Sequence, residues 1–330
     1  MRALFLTVAA ALWLAPAAHA ECKGQNLIAH LSPDAQAALR SQAAEYPYGS
    51  GNYWQATRGD QVIHLIGTYH MDDPRHAATL AALTPALDTA SILLVEAGPK
   101  EEAALKSHMA AHPEILVNTD GPTLPEVLSP ADWAALSAAM TARGVPAFMA
   151  AKFRPWYISV MLGIPPCAVA DAATARGLDG MLQDAAAKQG IPVQALEPYD
   201  TIFGIFDQMT LQDQLDMITT ALATEDQSDD MAATLADTYF DQESRLLWEF
   251  SRLQALDQPG YTPEQVDSDF AEMEKALMSD RNQAWIPVIE AAAAKGPVFA
   301  GFGALHLSGE KGVLNLLAKD GYTITQMPLP

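Results

Sequence analysis

The sequence predicts an α/β fold in which both ends of the chain form a mixed or largely parallel central sheet, with a large helical insertion between them. Strand and helix patterns alternate over residues 62–98 and again over residues 298–326, whereas residues 201–295 contain little strand pattern. Short apolar strands that alternate with helices are typical of a sheet covered by helices on both faces. The pattern leaves the strand order open.

The N-terminal α/β unit begins at residue 62. Residues 62–66 form a β-branched run that stops at Gly67, residues 75–87 show helical spacing, and residues 91–95 form a short apolar strand. Strand, helix and strand in succession are the parts of an α/β unit.

The segments between the core strands are predicted to be helical, over about residues 103–175 and 201–295. In the first segment, a helix begins after Ser129, with proline at its first position, and stops at Gly144. In the second segment, Thr262 opens a capping box and is also followed by proline, which is a strong helix start.

The second half of the chain supplies the other strands. A helix over residues 178–188 leads into a strand over residues 192–196. The C-terminal end returns to α/β order, with a strand over residues 298–302, a helix over residues 309–319 and a strand over residues 322–326.

Residues 1–20 have the pattern of a cleavable secretory signal peptide. A basic residue precedes an apolar run, and Ala18 and Ala20 fit the small-x-small cleavage pattern. The expected mature chain begins at Glu21, is periplasmic or secreted, and forms a single α/β domain over residues 21–330. The apolar run is too short to span a membrane, and no later stretch reaches about 18 consecutive apolar residues.

The chain is strongly acidic. Lys and Arg total 19 against 40 Asp and Glu, which gives a net charge of −21, or −22 without the single basic residue of the predicted leader. This charge repels phosphate backbones and anionic lipid, so neither nucleic acid nor a membrane surface is an expected partner. In a cleft, the same charge favours cationic partners or metal ions. The oligomeric state does not follow from the composition.

The chain contains two cysteines, Cys22 and Cys167. In an oxidising compartment the natural inference is one disulfide that ties the N-terminal segment to the middle of the chain. Two unpaired thiols are the alternative. Cys167 has no histidine base near it in the sequence, which disfavours a role as a nucleophile.

Two Gly-x-x-His motifs follow apolar strands at opposite ends of the chain, Gly67 to His70 and Gly303 to His306. In each motif the glycine supports the site by letting the backbone turn sharply. Ligands of open α/β sheets bind outside the carboxyl ends of strands, where both histidines are expected. Glu96 ends another strand at the same edge, and a buried carboxylate there needs a partner.

Two imidazoles and a carboxylate are suitable ligands for a divalent metal ion, and they equally suit acid–base chemistry on a polarised carbonyl. The alternative is a set of strand-end residues with unrelated hydrogen bonds. In a metal site the histidines would offer neutral nitrogens, and Glu96 would bind the ion or take a proton from water. The sequence has no zincin helix, nucleophile elbow or phosphate loop.

An ordered set of motifs resembles the TraB/GumN family over about residues 25–327. The motifs are Gly67-Thr68-Tyr69-His70, Val95-Glu96-Ala97, Gly177-Leu178-Asp179, Leu196-Glu197-Pro198, Arg281-Asn282 and Gly303-Ala304-Leu305-His306, the last continuing to Gly312. That family is related to the Tiki metalloproteases, and more distantly to erythromycin esterase-like and ChaN-like proteins.

The resemblance implies an active centre of His70, His306, Glu96 and Arg281, in which the histidines and Glu96 bind the metal. In the Tiki relatives the activity is metal-dependent peptide cleavage supported by manganese or cobalt, and zinc is a further candidate here. Other relatives are thought to sequester or inactivate peptide pheromones. We therefore expect an extracytoplasmic metal-dependent hydrolase with a peptide or small-molecule substrate. A non-catalytic sequestering protein and a haem- or metal-binding protein are the alternatives.

Four further residues have expected roles. Arg281 keeps its proton and suits oxyanion stabilisation, although an ion pair with a nearby acid is the alternative. Tyr69 can donate a hydrogen bond to a tetrahedral intermediate, or it is a core or rim residue. Asp179 and Glu197 support the site in this interpretation. An acid in the first turn of a helix is the simpler explanation for Asp179, and Pro198 replaces the threonine that the family resemblance leads us to expect after Glu197.

Overall fold

The computed structural model describes residues 22–172, 174–257 and 260–330. In this part of the chain six strands form one mixed sheet in the order β4-β3-β5-β2-β1-β6. The strands are β1 (Tyr53–Arg58), β2 (Gln61–Thr68), β3 (Ile92–Val95), β4 (Val193–Ala195), β5 (Val298–Gly303) and β6 (Thr323–Gln326). The predicted α/β fold class is confirmed. The predicted signal peptide and the expected start at Glu21 lie outside the described residues.

Helices occupy most of the chain between these strands. The first half contains α1 (Pro33–Ala44), α2 (His76–Leu87), α3 (Pro99–Ala111), α4 (Leu124–Val127), α5 (Pro130–Ala142), α6 (Ala147–Ala150), α7 (Pro155–Leu162) and α8 (Val169–Ala172). The second half contains α9 (Gly177–Gln189), α10 (Thr201–Asp207), α11 (Leu211–Ala223), α12 (Ser228–Phe240), α13 (Ser244–Leu256), α14 (Pro263–Glu274), α15 (Asp280–Ala293) and α16 (Val313–Lys319). Short 3₁₀ turns cover Pro113–Ile115, Pro166–Ala168, Glu225–Gln227 and Ala304–His306.

The side-chain caps explain several of these helix starts. Ser129 accepts a hydrogen bond from the backbone of Asp132 at the start of α5, and Thr262 forms the predicted capping box with Gln265 at the start of α14. Each cap satisfies backbone N–H groups that have no partner within the helix.

Two features differ from the sequence interpretation. β1 was not predicted, because its six residues mix apolar and polar side chains and become a strand only by pairing with β2 and β6. The last helix begins at Val313 rather than at residue 309. Gly309 has a φ of +99°, which is incompatible with a right-handed helix.

The four neighbouring strands β4, β3, β5 and β2 pair in parallel, and their carboxyl ends meet at one edge of the sheet. In the register, Thr68 of β2 lies opposite Gly303 of β5, and Val95 of β3 lies opposite both Gly301 of β5 and Ala195 of β4. β1 is antiparallel to both of its neighbours. Residues that directly follow β2, β3, β4 and β5 are therefore brought together, although they are far apart in sequence.

Helices cover both faces of the sheet. On one face, α15 packs against β2 and β5, and α16 packs against β1 and β6, through a core that includes Trp285, Ile289, Leu314, Leu65 and Phe302. On the other face, α2 and α9 pack through a core that includes Leu83, Leu182, Ile66, Leu93 and Phe299. Burial of each such apolar side chain contributes about 1.5–3 kcal/mol, so these two cores hold the carboxyl edge in place.

The helices between the strands build a second layer with their own core. Leu136, Met140, Ile158 and Ile218 pack together between α5, α7 and α11. No single helix among the described residues is long and apolar enough to cross a membrane. One pair of helices, Pro155–Leu162 with Pro166–Gln189, has the length and apolar composition of a membrane span when taken together, but the pair is bent by 88°.

The predicted disulfide between Cys22 and Cys167 is present, with a Cα–Cα distance of 5.3 Å. It ties the N-terminal segment to the turn Pro166–Ala168. The amide of Gln25 then donates to Asp230 of α12, so this segment is fixed to the helical layer from two sides. A disulfide is consistent with an oxidising compartment.

Phe299 provides the test of this packing. It is fully buried near the start of β5, and its ring stacks against those of Tyr53 and His64, which also stack on each other. Phe299→Ala is expected to lower the free energy of unfolding by about 3–5 kcal/mol, because it leaves a cavity that the sheet cannot close. Urea denaturation measures the change. Phe148→Ala is the matched control, since Phe148 is 76 % exposed and should change stability by less than about 0.5 kcal/mol.

Candidate functional site

His70, Glu96 and His306 surround a single point at the carboxyl edge of the sheet, above Gly303. A Cβ atom added to Gly303 would lie 3.2 Å from Glu96 Oε1, 3.3 Å from His70 Nε2 and 3.6 Å from His306 Cδ2. Glu96 Oε1 and His306 Nε2 are 3.8 Å apart. The absence of a side chain at Gly303 therefore leaves the space that these three groups share.

The His306 ring is held on its outer side by α15. Its Nδ1 is 2.6 Å from Asn282 Oδ1, while Asn282 Nδ2 donates to the carbonyl groups of His306 and Lys311. Because Asn282 Oδ1 can only accept, the proton of the neutral ring lies on Nδ1. The ring also packs against Trp285 at a centroid distance of 4.4 Å. The lone pair of Nε2 is thus directed towards the shared space.

The His70 ring is held in the same way by α9. Its Nδ1 is 2.8 Å from Asp179 Oδ2, and the other oxygen of Asp179 accepts a hydrogen bond from Thr68 Oγ1. Gly177 makes this contact possible. It has a φ of +50°, and a Cβ atom there would lie 2.3 Å from the Tyr69 carbonyl oxygen. Asp179 therefore holds the His70 ring in place. It is also an acid in the first turn of α9, so both interpretations of this residue apply.

Glu96 and Glu197 share the guanidinium of Arg281. Arg281 Nη2 donates to Glu96 Oε2 at 2.7 Å and to Glu197 Oε1 at 2.6 Å, and Nε donates to Glu197 Oε2 at 2.9 Å. The second oxygen of Glu96 accepts from the Gly303 amide at 2.6 Å. Trp285 donates its indole N–H to Glu197. Glu197 thus joins the site as the residue that holds Arg281.

Arg281 also reaches the histidine side of the site. Its Nη1 is 3.2 Å from His306 Nε2 and donates to the Leu277 carbonyl oxygen. Leu277 lies in a π-helical turn, Lys275–Ser279, between α14 and α15. Such turns occur frequently at functional sites, because they redirect the side chains that follow.

The surroundings shift the pKa values of the two histidines in opposite directions. Burial lowers the pKa of His306 to about 4, against the charge of Glu96. Desolvation would also lower the pKa of His70, but the hydrogen bond to Asp179 and the charges of Asp179 and Glu96 raise it to about 9. The His70 side chain is 63 % exposed, so water moderates these effects and the direction follows from Asp179. Opposite shifts in neighbouring groups are typical of acid–base sites.

Burial alone would raise the pKa of Glu96. The nearby imidazoles, the guanidinium of Arg281 and the amide of Gly303 more than offset burial and lower it to about 2. Glu96 is therefore ionised at neutral pH, as a metal ligand or a base must be.

Tyr69 and Gly67 lie beside this centre. Tyr69 packs in an aromatic cluster with Tyr239 and His76, and burial raises its pKa to about 12, so its hydroxyl stays protonated. A Cβ atom on Gly67 would lie 2.7 Å from the backbone of Ala304, so glycine is needed where β2 approaches the second histidine motif.

Sequence reasoning missed the roles of Asn282 and Trp285. Both lie on α15, where Asn282 follows Arg281 directly and Trp285 comes four positions after it. A residue four positions along a helix lies on the same face, which is the signal that could have linked Trp285 to Arg281. Asn282 was part of a recognised motif but had no role assigned to it. Its burial, with only 2 % exposed, is visible only in the folded chain.

The donor chemistry of the site suits a divalent metal ion. Nδ1 of each histidine is committed to an acceptor, so Nε2 is the nitrogen that each neutral ring can offer to an ion, and this arrangement is usual for metal-binding histidines. The ionised carboxylate of Glu96 adds an oxygen donor. Arg281 is within hydrogen-bond distance of His306 Nε2, so an ion bound there would have to displace that contact.

Another cluster has closer donor atoms. Within the described ranges, the one group of three such side chains with all donor atoms within 4.8 Å is Cys22, Cys167 and Asp229. Its two sulfur atoms are joined in the disulfide and cannot act as thiolate ligands. The three predicted metal ligands, His70, Glu96 and His306, lie further apart than this and would have to move closer to bind one ion.

A cleft of about 2000 Å³ adjoins the site. Its walls include Tyr69, Glu197 and Arg281, and it extends between α11, α12 and α14. His70, Glu96 and His306 are not among the described residues of its walls, so the cleft meets the imidazole–carboxylate centre at Arg281, which contacts Glu96 and His306. Its size suits a segment of peptide rather than a small metabolite.

The model of the TraB/PrgY/gumN family matches residues 52–326. This span contains all six strands of the sheet and both Gly-x-x-His motifs. No curated protein matches the chain significantly.

Proposed function

Because the chain belongs to the TraB/PrgY/gumN family, we propose that it is an extracytoplasmic metal-dependent hydrolase that cleaves peptide bonds. His70, His306 and Glu96 bind the ion in this proposal, which is manganese, cobalt or zinc. The disulfide between Cys22 and Cys167 supports a location in the periplasm or outside the cell.

The observation that carries the proposal is the convergence on Gly303. Two imidazoles with fixed tautomers and one ionised carboxylate, from three distant segments, face the same space. Neighbouring residues hold each of these side chains in place, so little side-chain conformational entropy is lost when an ion or a substrate binds.

Each group of the site has a separate role in the proposed reaction. A divalent ion would supply Lewis-acid activation of water and of the scissile carbonyl group. Glu96 is ionised and can accept the proton of the attacking water. Arg281 keeps its charge and can donate hydrogen bonds to the oxyanion that forms as the carbonyl carbon becomes tetrahedral. Breakage of the C–N bond needs a proton on the leaving amine, and Glu96 can return to the amine the proton that it took from water.

A second candidate is sequestration of a peptide without cleavage. It is favoured by the cleft, whose walls contain Arg281 and Glu197 but not the two histidines.

Haem binding, a further expectation, has less support. The haem propionates are anionic, and acidic side chains predominate in the walls of the cleft.

Digestion of a peptide library by chelator-treated protein tests the proposal. We expect no cleavage in the chelator, and cleavage after addition of manganese, cobalt or zinc, because in this proposal the ion activates the attacking water. Mass spectrometry identifies the products. Cleavage that is equally fast in the chelator would exclude a role for the metal. Peptide retention without any product, with each of the three metals, would favour sequestration.

A further inference from the structure

The walls of the cleft have an unusual composition. Among the residues that the structure describes, acidic side chains in the walls outnumber basic ones by eleven to three. The walls also contain five of the 13 methionines of the chain: Met71, Met209, Met217, Met231 and Met273. Methionine adapts its shape to different apolar partners, and methionine-rich surfaces are typical of sites that bind varied sequences.

The acidic and apolar side chains of the walls come from more than one helix. Asp216 and Met217 lie on α11, whereas Asp269, Glu272 and Met273 lie on α14. Each of these two helices therefore offers a ligand both apolar atoms and carboxylates.

Three of the acids are available to a ligand. Asp216, Asp269 and Glu272 are exposed, and within the described part of the chain they form no ion pair. Other acids in the walls are already paired, as Asp73 is with Arg75. The negative charge of the cleft is therefore not neutralised internally, and it attracts a cationic partner.

We propose that the cleft binds cationic amphipathic peptides, in which basic side chains alternate with apolar ones. The apolar side chains would pack on the methionines, and the basic side chains would pair with Asp216, Asp269 and Glu272. This inference rests on the proposed function, since it names the class of substrate that the cleft presents to the site at Gly303. An anionic amphipathic peptide would gain only the apolar contacts, and a basic peptide without apolar side chains would gain only the ion pairs.

The test measures the binding of three fluorescein-labelled peptides to the full chain with His306→Ala, so that cleavage does not interfere. The probes are a repeated Lys-Leu-Leu peptide, its Glu-Leu-Leu counterpart and its Lys-Ser-Ser counterpart. Fluorescence anisotropy should show that the Lys-Leu-Leu peptide binds at least about tenfold more tightly than either counterpart at low ionic strength.

Charge variants locate the binding. Asp216→Asn, Asp269→Asn and Glu272→Gln together should weaken binding of the Lys-Leu-Leu peptide about tenfold. The matched control neutralises three exposed acids outside the cleft walls, Glu45, Asp60 and Asp120. It should change affinity less than about twofold, because screening limits the effect of distant charges.

Equal affinities for the three peptides would overturn the proposal, and so would equal losses in the two charge variants. The binding result is independent of catalysis. If wild-type protein cleaves no peptide with any metal, the hydrolase proposal fails while selective binding still supports the cationic ligand. If it cleaves all three peptides equally, the hydrolase proposal stands and the inferred peptide class is wrong.

Discussion

Replacing His306 with alanine is expected to lower kcat/KM for peptide hydrolysis by about 10³-fold or more, and to weaken metal binding. Loss of residues that only orient metal ligands already costs about 10–100-fold, so removal of a ligand should cost more. The fold should persist. Because Asn282 Oδ1 loses its buried partner, the free energy of unfolding should fall by about 1–3 kcal/mol. Steady-state kinetics and metal titration measure the two effects.

His30→Ala is the control for this variant. His30 is exposed and lies in the N-terminal segment, away from the carboxyl edge of the sheet, so its removal should leave kcat/KM unchanged. A folded His306→Ala protein with wild-type turnover would exclude His306 from the reaction.

The second large effect is expected at Arg281. Arg281→Met leaves Glu96 and Glu197 side by side without their shared cation. Loss of one partner from a buried ion pair lowers the free energy of unfolding by about 3–5 kcal/mol, and we expect up to this amount here, because the Arg281, Glu96 and Glu197 side chains are 15 %, 19 % and 15 % exposed. Loss of an oxyanion donor should also lower kcat by about 10²–10³-fold. Denaturation is measured in a chelator, so that a bound ion does not replace the missing charge.

The pH dependence of this variant distinguishes charge from packing. In the wild type the pKa of Glu96 is lowered to about 2. The ionised carboxylate therefore contributes its full share of the free energy of unfolding at pH values above the ordinary carboxyl pKa, and this contribution is lost as the pH falls towards 2. Without Arg281, burial and the neighbouring Glu197 should raise the pKa of Glu96. The stability difference between variant and wild type should therefore be largest at neutral pH and smaller below about pH 4.

Two further variants complete this test. Adding Glu197→Gln to Arg281→Met should recover part of the lost stability, because only one buried charge then remains. Arg40→Met is the control, since Arg40 pairs with Glu243 at the surface and should contribute less than about 1 kcal/mol. A pH-independent deficit in Arg281→Met would assign the effect to lost packing.

The sequence predicted the α/β class because the strands β2, β3 and β5 are short apolar runs with clear boundaries. Their carboxyl ends also located His70, Glu96 and His306, since parallel strands bring such residues to one edge. The disulfide followed from there being only two cysteines. Each of these inferences depends on a pattern within a short segment or, for the disulfide, on a single possible pairing.

The arrangement around these residues could not be predicted in the same way. The strand order, and hence the contact of Glu197 with Arg281, depends on which strands pair. The role of Asn282 depends on the rotation of α15 against the second histidine motif, and no periodicity in the sequence specifies it. The metal-binding role of the three central residues and the functions proposed here remain predictions.

The most direct test of the central claim is anomalous diffraction from crystals grown with cobalt or manganese. We predict a peak above Gly303 that is bonded to His70 Nε2, His306 Nε2 and a carboxylate oxygen of Glu96, at about 2.0–2.3 Å. Arg281 Nη1 should then have left His306. No peak at this position at a saturating concentration of the ion, or a peak only on the acidic walls of the cleft, would contradict a metal centre built from these three residues.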